Sequence, residues 1–321
     1  MVLKLSFAMV AATVLCASAA AAQTYPVKPI RFIIPFTPGG NTDVLGRLLG
    51  QKLTAAWGQQ VVIDNRAGAG GTVGVDQASK APPDGYTIVM GTFGSVLVAK
   101  SLYKKLDYDP QRDLAPVVLV SKPPGLLVTN PQVPVKNVQE LIAYARTSPG
   151  KLNYASSGSG TWNHLFGELF NSMAQAKIVH VPYKGASPAV TDLLGGQVQM
   201  MFSPFPPALP HVRSGRLRAL AVSSEQRSGL LPEIPTVAEA GLPAYTAEGW
   251  FAVLAPAKTL PAIIAQLNRE LNRALQAPEV KASLAADGAE PVGGTPQELA
   301  QSIREGSAKW GKLIRELGMS L

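Results

Sequence analysis

The short apolar run Ile30-Arg31-Phe32-Ile33-Ile34 leads directly into Pro35-Phe36-Thr37-Pro38-Gly39-Gly40-Asn41-Thr42-Asp43. Val44, Leu45, Leu48, Leu49 and Leu53 then recur at helical spacing. Strand, glycine turn and helix in that order constrain the chain more than any other stretch. The first-turn N–H groups of the helix have no intrahelical acceptor, and the positive end of its dipole lies behind the turn. Gly39 and Gly40 permit dihedrals and close approaches that a side chain forbids. Such a turn is either a plain α/β connection or an anion site built from backbone. A second loop of the same kind, further along, tips the reading toward the anion site.

The unit recurs. Val61 to Ile63 form a second strand ending in Asn65-Arg66-Ala67-Gly68-Ala69-Gly70-Gly71-Thr72-Val73-Gly74. The G-x-G-x-x-G spacing of a dinucleotide site fails, because Val73 stands where the third glycine belongs. The segment is read instead as a tight strand-to-helix crossing that can also line a site. Tyr86 to Met90 give a third strand leading into Gly91-Thr92-Phe93-Gly94-Ser95. Alternating strands and helices predict mostly parallel sheets with right-handed crossovers. Ligands of such sheets sit beyond the carboxyl ends of the strands, where all three turns fall.

Val117 to Val120, followed by Ser121-Lys122-Pro123-Pro124-Gly125, marks the first passage into another domain. Leu126 to Thr129 and Leu152 to Ala155 read as strands. Asn137 with Glu140 starts a helix of capping-box type that runs to about Thr147. Ser156-Ser157-Gly158-Ser159-Gly160-Thr161 precedes a helix carrying Leu165, Phe166, Leu169 and Phe170. This second loop offers hydroxyl donors as well as N–H groups, a combination suited to a carboxylate. Lys177 to Val181, Val198 to Phe202 and Leu217 to Val222 are further strands, and Ala189 to Leu194 a short helix. Pro204 to Ser214 and Pro232 to Pro243 read as connecting segments. Gly249 to Val253 return to the first domain. Ile264, Leu267, Leu271 and Leu275 share one helix face, and Thr295-Pro296-Gln297-Glu298 opens the last helix.

The start of the chain is a leader by composition: Lys4, an apolar run from Leu5 to Ala17, and Ala20-Ala21-Ala22 before Gln23. That pattern predicts a secretory signal peptide cleaved after Ala22 and a periplasmic location. Cys16, the only cysteine, falls inside the leader behind Leu15, which disfavours lipidation. The mature chain then has no disulfide, thiolate nucleophile or cysteine-held metal. The chain of 321 residues is long enough for two cores. Its net charge is +8, of which Lys4 supplies one, leaving +7 on the mature part. These charges are dispersed, whereas a nucleic-acid binder carries a clustered basic stripe. The milder inference is a field that favours small anions.

The motifs P-F-T-P-G-G-N-T-D from Pro35, N-R-A-G-A-G-G from Asn65, S-S-G-S-G-T from Ser156, V-P-Y-K-G from Val181 and D-L-L-G-G-Q-V-Q-M from Asp192 occur in order along the mature chain. Together they resemble the tripartite tricarboxylate transporter substrate-binding family, the TctC or Bug receptors. The resemblance implies a two-domain α/β periplasmic binding protein of Venus-flytrap type, with two interdomain crossovers. Its expected domains are 23–122 with 245–321, and 123–244. It further implies a small carboxylate (di- or tricarboxylate, amino acid or aromatic acid) held in the cleft, no cofactor and no metal. The implied partner is a two-component integral membrane permease, with the receptor acting as a monomer. A receptor feeding a sensor kinase has the same binding chemistry and is the alternative. An exported serine hydrolase is disfavoured: Ser157 lacks the G-x-S-x-G elbow, and no signature places His164, His180 or His211 as a base.

Candidate ligand residues on the first loop are Thr37, Gly39, Gly40 and Asn41. Asp43 is read as a helix cap, a water holder or the partner of a ligand ammonium group. Arg66, Thr92 and Ser95 belong to the next two turns. The second loop supplies Ser157, Gly158, Ser159, Gly160, Thr161 and His164, and the strand end supplies Tyr183 and Lys184. His164 has an equal reading as a structural histidine, and Lys184 as a solvated cation. Phe93 and Trp162 are placed on the cleft wall, where they favour an aromatic ligand or serve packing. Met200, Met201 and Phe202 are assigned to the core.

Overall fold

The computed structural model describes residues 25–321, so the proposed leader lies outside the described residues. Two sheets are present. The first comprises β1 (Ile30–Ile34), β2 (Val61–Asn65), β3 (Thr87–Thr92), β4 (Leu114–Ser121), β10 (Phe251–Pro256) and β11 (Pro291–Gly293), in the order β11-β4-β10-β3-β1-β2. The second comprises β5 (Leu126–Thr129), β6 (Asn153–Ser156), β7 (Val179–Pro182), β8 (Met200–Ser203) and β9 (Arg218–Val222), in the order β7-β6-β8-β5-β9.

Ten helices flank these sheets among the described residues: α1 (Asn41–Trp57), α2 (Thr72–Ser79), α3 (Ala99–Leu102), α4 (Val138–Thr147), α5 (Trp162–Ala174), α6 (Ala186–Leu194), α7 (Phe205–Arg213), α8 (Pro261–Leu275), α9 (Pro278–Ala286) and α10 (Pro296–Glu316).

Residue alternation in β1 shows how the strands are covered. Ile30, Phe32 and Ile34 pack with Leu45, Leu49 and Leu53 of α1 and Leu267 and Leu271 of α8. Ile33 points to the opposite face and joins Val75, Val89 and Phe93. Helix α1 lies unusually close to β1: a Cβ on Gly46 would fall 2.3 Å from Ile34 Cδ1. In the second sheet Leu126 and Val128 meet α6 and α7, while Leu127 meets Phe166 and Phe170 of α5. Met200, Met201 and Phe202 are core, as their composition indicates.

The sheets are mixed rather than mostly parallel. β1 pairs parallel with β2 and β3, and β6 with β7 and β8. The remaining pairs are antiparallel, because each lobe also contains strands on which the chain leaves or returns. β10, the returning strand, inserts between β3 and β4 and runs against both. The outgoing and returning segments are stitched to each other. Gly249 N–H donates to Pro123 O at 2.7 Å, Ser223 N–H to Gly125 O at 2.8 Å, and Gly125 N–H to Ser223 Oγ at 2.7 Å.

The capping box of α10 forms, with Glu298 N–H donating to Thr295 Oγ1 and Thr295 N–H to Glu298 Oε2. α4 has only half of one: Glu140 N–H donates to Asn137 Oδ1, while the Glu140 carboxylate accepts from Lys136 N–H. Three helices escape the sequence reading: the four-residue α3, α7 and α9. α7 carries Pro206, Pro207 and Pro210, residues that suppress a helical reading; two of them occupy the first turn, where the missing N–H costs nothing. α9 has almost no apolar stripe beyond Val280 and Leu284. Helix α6 also starts earlier than its apolar residues indicate, at Ala186.

The lobes meet through aromatic rings. Trp310 of α10 lies 4.9 Å from the Phe93 ring of the first lobe and stacks 5.8 Å from Phe166 of the second. Nearer the cleft they touch backbone to backbone: a Cβ on Gly94 would sit 3.1 Å from Gly160 O and 3.2 Å from Gly70 O. No helix among the described residues is long and apolar enough to cross a membrane.

Candidate functional site

A cavity of about 660 Å³ opens between the lobes. From the first lobe its wall takes Phe36 to Thr42, the loop that the sequence singles out. Gly39 adopts φ +85°, which only glycine accommodates readily, and Gly40 caps α1. Gly40 O accepts from the N–H groups of Asp43 and Val44. The N–H groups of Gly40, Asn41 and Thr42 have no acceptor among the described residues, which leaves three free donors at the start of a helix of 17 residues.

Asp43 fixes this loop from inside and is not on the cavity wall. Its Oδ2 accepts from Gly39 N–H at 3.0 Å and from Arg47 Nε at 2.9 Å. Its Oδ1 accepts from Asn65 Nδ2 at 2.9 Å, and Asn65 also donates to Phe36 O. Asp43 neither caps α1, whose N-cap is Gly40 with no side-chain cap bond, nor faces a ligand ammonium from the wall. It supports the loop, because three donors converge on its carboxylate. Gly39 therefore lends the wall its backbone, but its N–H is engaged by Asp43. Burial of Asp43 opposes its charge, yet the hydrogen bonds from Arg47, Gly39 and Asn65 prevail and hold the carboxyl below its ordinary value.

A depressed acid stabilises the fold above its unfolded pKa, near 4, and that contribution disappears as pH falls through the folded value. Asp43→Asn is expected to cost about 2 kcal/mol at neutral pH, because a charge-assisted donor set loses its acceptor. The difference between variant and parent should begin to shrink below pH ~4 and vanish only below the depressed folded value. Melting curves across that range check this; parallel curves would place the acid loss on other groups.

The hydroxyls of the second loop, read from sequence either as ligand donors or as turn and N-cap residues, are partly engaged within the loop. Thr161 Oγ1 donates to Gly158 O at 2.6 Å, and Asn163 Nδ2 donates to Ser157 Oγ at 2.9 Å. Ser157 and Thr161 do line the cavity; Gly158, Ser159, Gly160 and His164 do not. His164 Nδ1 accepts from Gly160 N–H at 3.1 Å, which requires a neutral ring, and that ring stacks 3.9 Å from His180. Burial and the neighbouring His180 push His164 down to about 3, and burial takes His180 down to about 4. His164 is thus a prop for the loop.

Thr92 lines the cavity, while Ser95 is fully buried beneath it and accepts from Thr92 N–H. Arg66 pairs with Asp64 at 2.9 Å, away from the wall. Tyr183 is also off the wall and donates to Asp192 at 2.7 Å, whereas Lys184 is on it. Phe93 and Trp162 occupy the wall as placed from sequence, joined by Phe36, Trp250 and Phe251.

Several wall residues carry no sequence signal of their own. The early start of α6 brings Ala186, Ser187 and Pro188 to the cavity, and α7 presents Pro204, Pro206 and Pro207. Prolines have no N–H, so that helix start is an apolar wall and not an anion site. Asp287, just past α9, is the one acidic residue on the wall among the described residues, and Lys184 the one basic residue. Asp287 followed a helix that the sequence reading did not detect, so nothing drew it toward the cleft.

Two α/β lobes, twin crossings and a cavity between the lobes define a periplasmic solute-binding protein. Solved structures bear this out. R. palustris Rpa4515 with adipate superposes with a TM-score of 0.84 at 37% identity, covering 92% of this chain and 100% of that one. MatC (Rpa3494) from Rhodopseudomonas palustris with bound malate gives 0.81 at 33% identity, covering 90% of this chain and 100% of that one. The model of the tripartite tricarboxylate transporter family receptor matches residues 45–319, and the chain belongs to that family. Protein BugT of Bordetella pertussis (strain Tohama I) is 44% identical over 311 residues, 97% of this chain and 95% of that protein. The chain is a periplasmic solute-binding receptor of the TctC/Bug type.

Proposed function

We propose that the receptor captures a small carboxylate between its lobes and delivers it to an integral membrane permease, after export and cleavage at Ala22. One observation carries the ligand class: the unpartnered N–H groups at Gly40, Asn41 and Thr42 open into a cavity whose far wall includes Ser157 and Thr161. The adipate and malate in the related structures support the same chemistry. On this reading the ligand contacts are Thr37, Gly40, Asn41, Thr92, Ser157, Thr161 and Lys184, with the lobes divided within the two crossing segments. The receptor works without catalysis. The closest serine–histidine pair, Ser156 Oγ and His180 Nε2 at 2.6 Å, lies off the cavity wall, which disfavours the hydrolase alternative. Ligand stabilises the closed arrangement through its differential affinity for it.

Thermal melting of the mature protein, refolded to remove bound ligand, tests the ligand class against small carboxylates and their amides. An acid at a hundred times its Kd is expected to stabilise the fold by about 2.7 kcal/mol, and its amide to do nothing. Stabilisation by a nucleotide or peptide with no effect from any acid would refute the reading.

A further inference from the structure

The carboxylate reading does not account for Asp287. The loop that follows α9 seats this residue at the seam between the lobes: Gly288 adopts φ +67°, and a Cβ there would fall 3.1 Å from the Phe205 ring and 3.2 Å from Ser228 Oγ of the second lobe. Asn41 Nδ2 donates to Asp287 Oδ1 at 2.7 Å. Among the described residues no other side-chain hydrogen bond reaches this carboxylate, and no lysine or arginine pairs with it. An acid is thus placed on the wall of a site otherwise arranged for an anion, with one oxygen left without a protein partner.

Asn41 also fixes the distance between the two features. Its backbone N–H belongs to the unpartnered first turn of α1, and its side-chain amide touches Asp287. A carboxylate on the α1 turn and a group on Asp287 are therefore separated by the reach of one asparagine side chain. A second carboxylate at that spot meets like charge; a cationic donor there completes an ion pair in a partly desolvated place. The rest of the wall adds the hydroxyls of Thr37, Thr92, Ser157 and Thr161 and the Lys184 ammonium, while Phe36, Trp162, Trp250 and Pro206 form its apolar stretch for a ligand's body.

Resting on the carboxylate reading, we propose that this receptor selects 2-amino acids with apolar, ring-sized side chains. The α1 turn takes the carboxylate and Asp287 takes the neighbouring ammonium group. Asp287 acts as the specificity determinant against dicarboxylates and simple acids. Burial supports this assignment, since it pushes the Asp287 carboxyl up to about 7 with no compensating cation in the protein. Neither its partner Asn41 nor Phe205 and Ser228, which face the adjoining Gly288, titrates near neutrality, and the other charged group on the wall is the exposed Lys184.

Calorimetric titration of the stripped protein tests this with matched probes: phenylalanine, tyrosine and leucine, each beside the same acid lacking the amine and the same acid bearing a hydroxyl in its place, plus adipate and malate. At least one amino acid is expected to bind ten or more times as tightly as both of its analogues and as adipate. Asp287→Asn should remove that preference while leaving the unliganded melting temperature in place. Amino-acid affinity should rise between pH ~5.5 and ~8, as the Asp287 carboxyl loses its proton. Three results overturn the proposal: amine-free or hydroxy acids binding as well as the amino acid; an unchanged preference in Asp287→Asn; or affinity falling with pH, the sign of a protonated Asp287 donating to the ligand. In all three the carboxylate site stands. Failure of every acid, aminated or not, refutes the carboxylate reading itself.

Discussion

Gly40→Val is expected to abolish carboxylate capture while leaving a folded protein. The backbone at Gly40 has φ −81°, open to any residue, and an added Cβ would have Thr37 O, 3.9 Å away, as its nearest neighbour. The new side chain therefore occupies the space in front of the α1 N–H groups and not a space inside the protein. Glycine serves well as a helix cap and valine poorly, so the unliganded fold should lose only about 1 kcal/mol. Excluding an anion from its N–H donors removes charge-assisted hydrogen bonds, about 3 kcal/mol or roughly 100-fold in Kd. Titration of any acid that binds the parent checks this; a variant within about threefold of the parent would move the anion site off this turn.

The largest stability loss is expected from Trp310→Ala. Trp310 is 4% exposed and touches rings from both lobes, so its removal leaves a cavity where the lobes join. Truncating a buried tryptophan costs about 3–5 kcal/mol. In a protein of this size that corresponds to a fall in Tm of roughly 10 °C. Trp310→Phe should recover a good part of it by keeping a ring against Phe93 and Phe166. A Trp310→Ala protein melting within about 2 °C of the parent would show that the join is held elsewhere.

What the sequence discloses and what it hides follow from the range of the forces involved. The first loop is legible because its signal is local: an apolar strand, two glycines and an amphipathic helix, all within one stretch. The capping box of α10 is legible for the same reason, since four residues suffice to write it. The role of Asp43 is less so. Sequence places it in a first helical turn, but its link to Asn65 depends on β1 and β2 being neighbours. The second loop shows the opposite bias. Its hydroxyls look like donors for a ligand, yet Asn163 and the Gly158 carbonyl engage two of them before any ligand arrives. Asp287 is illegible altogether: its partner Asn41 lies 246 positions away, and the helix before it lacks an apolar stripe. Mixed strand directions are hidden similarly: β10 reads as a returning strand, but its insertion between β3 and β4, antiparallel to both, depends on residues far away in sequence.

The glycine seam has a consequence for how the receptor reports a catch. Where Gly94 meets Gly160, main chain faces main chain, with Leu102, Tyr103 and Leu321 packed beside the contact. The glycines have no rotamers to freeze there, so they add no side-chain entropy cost of their own to shutting the cleft. The contact also contains nothing that inspects what has been captured. Discrimination therefore rests with the cavity wall. Under the proposed delivery to a membrane permease, the seam signals that the cleft is shut and not what it holds.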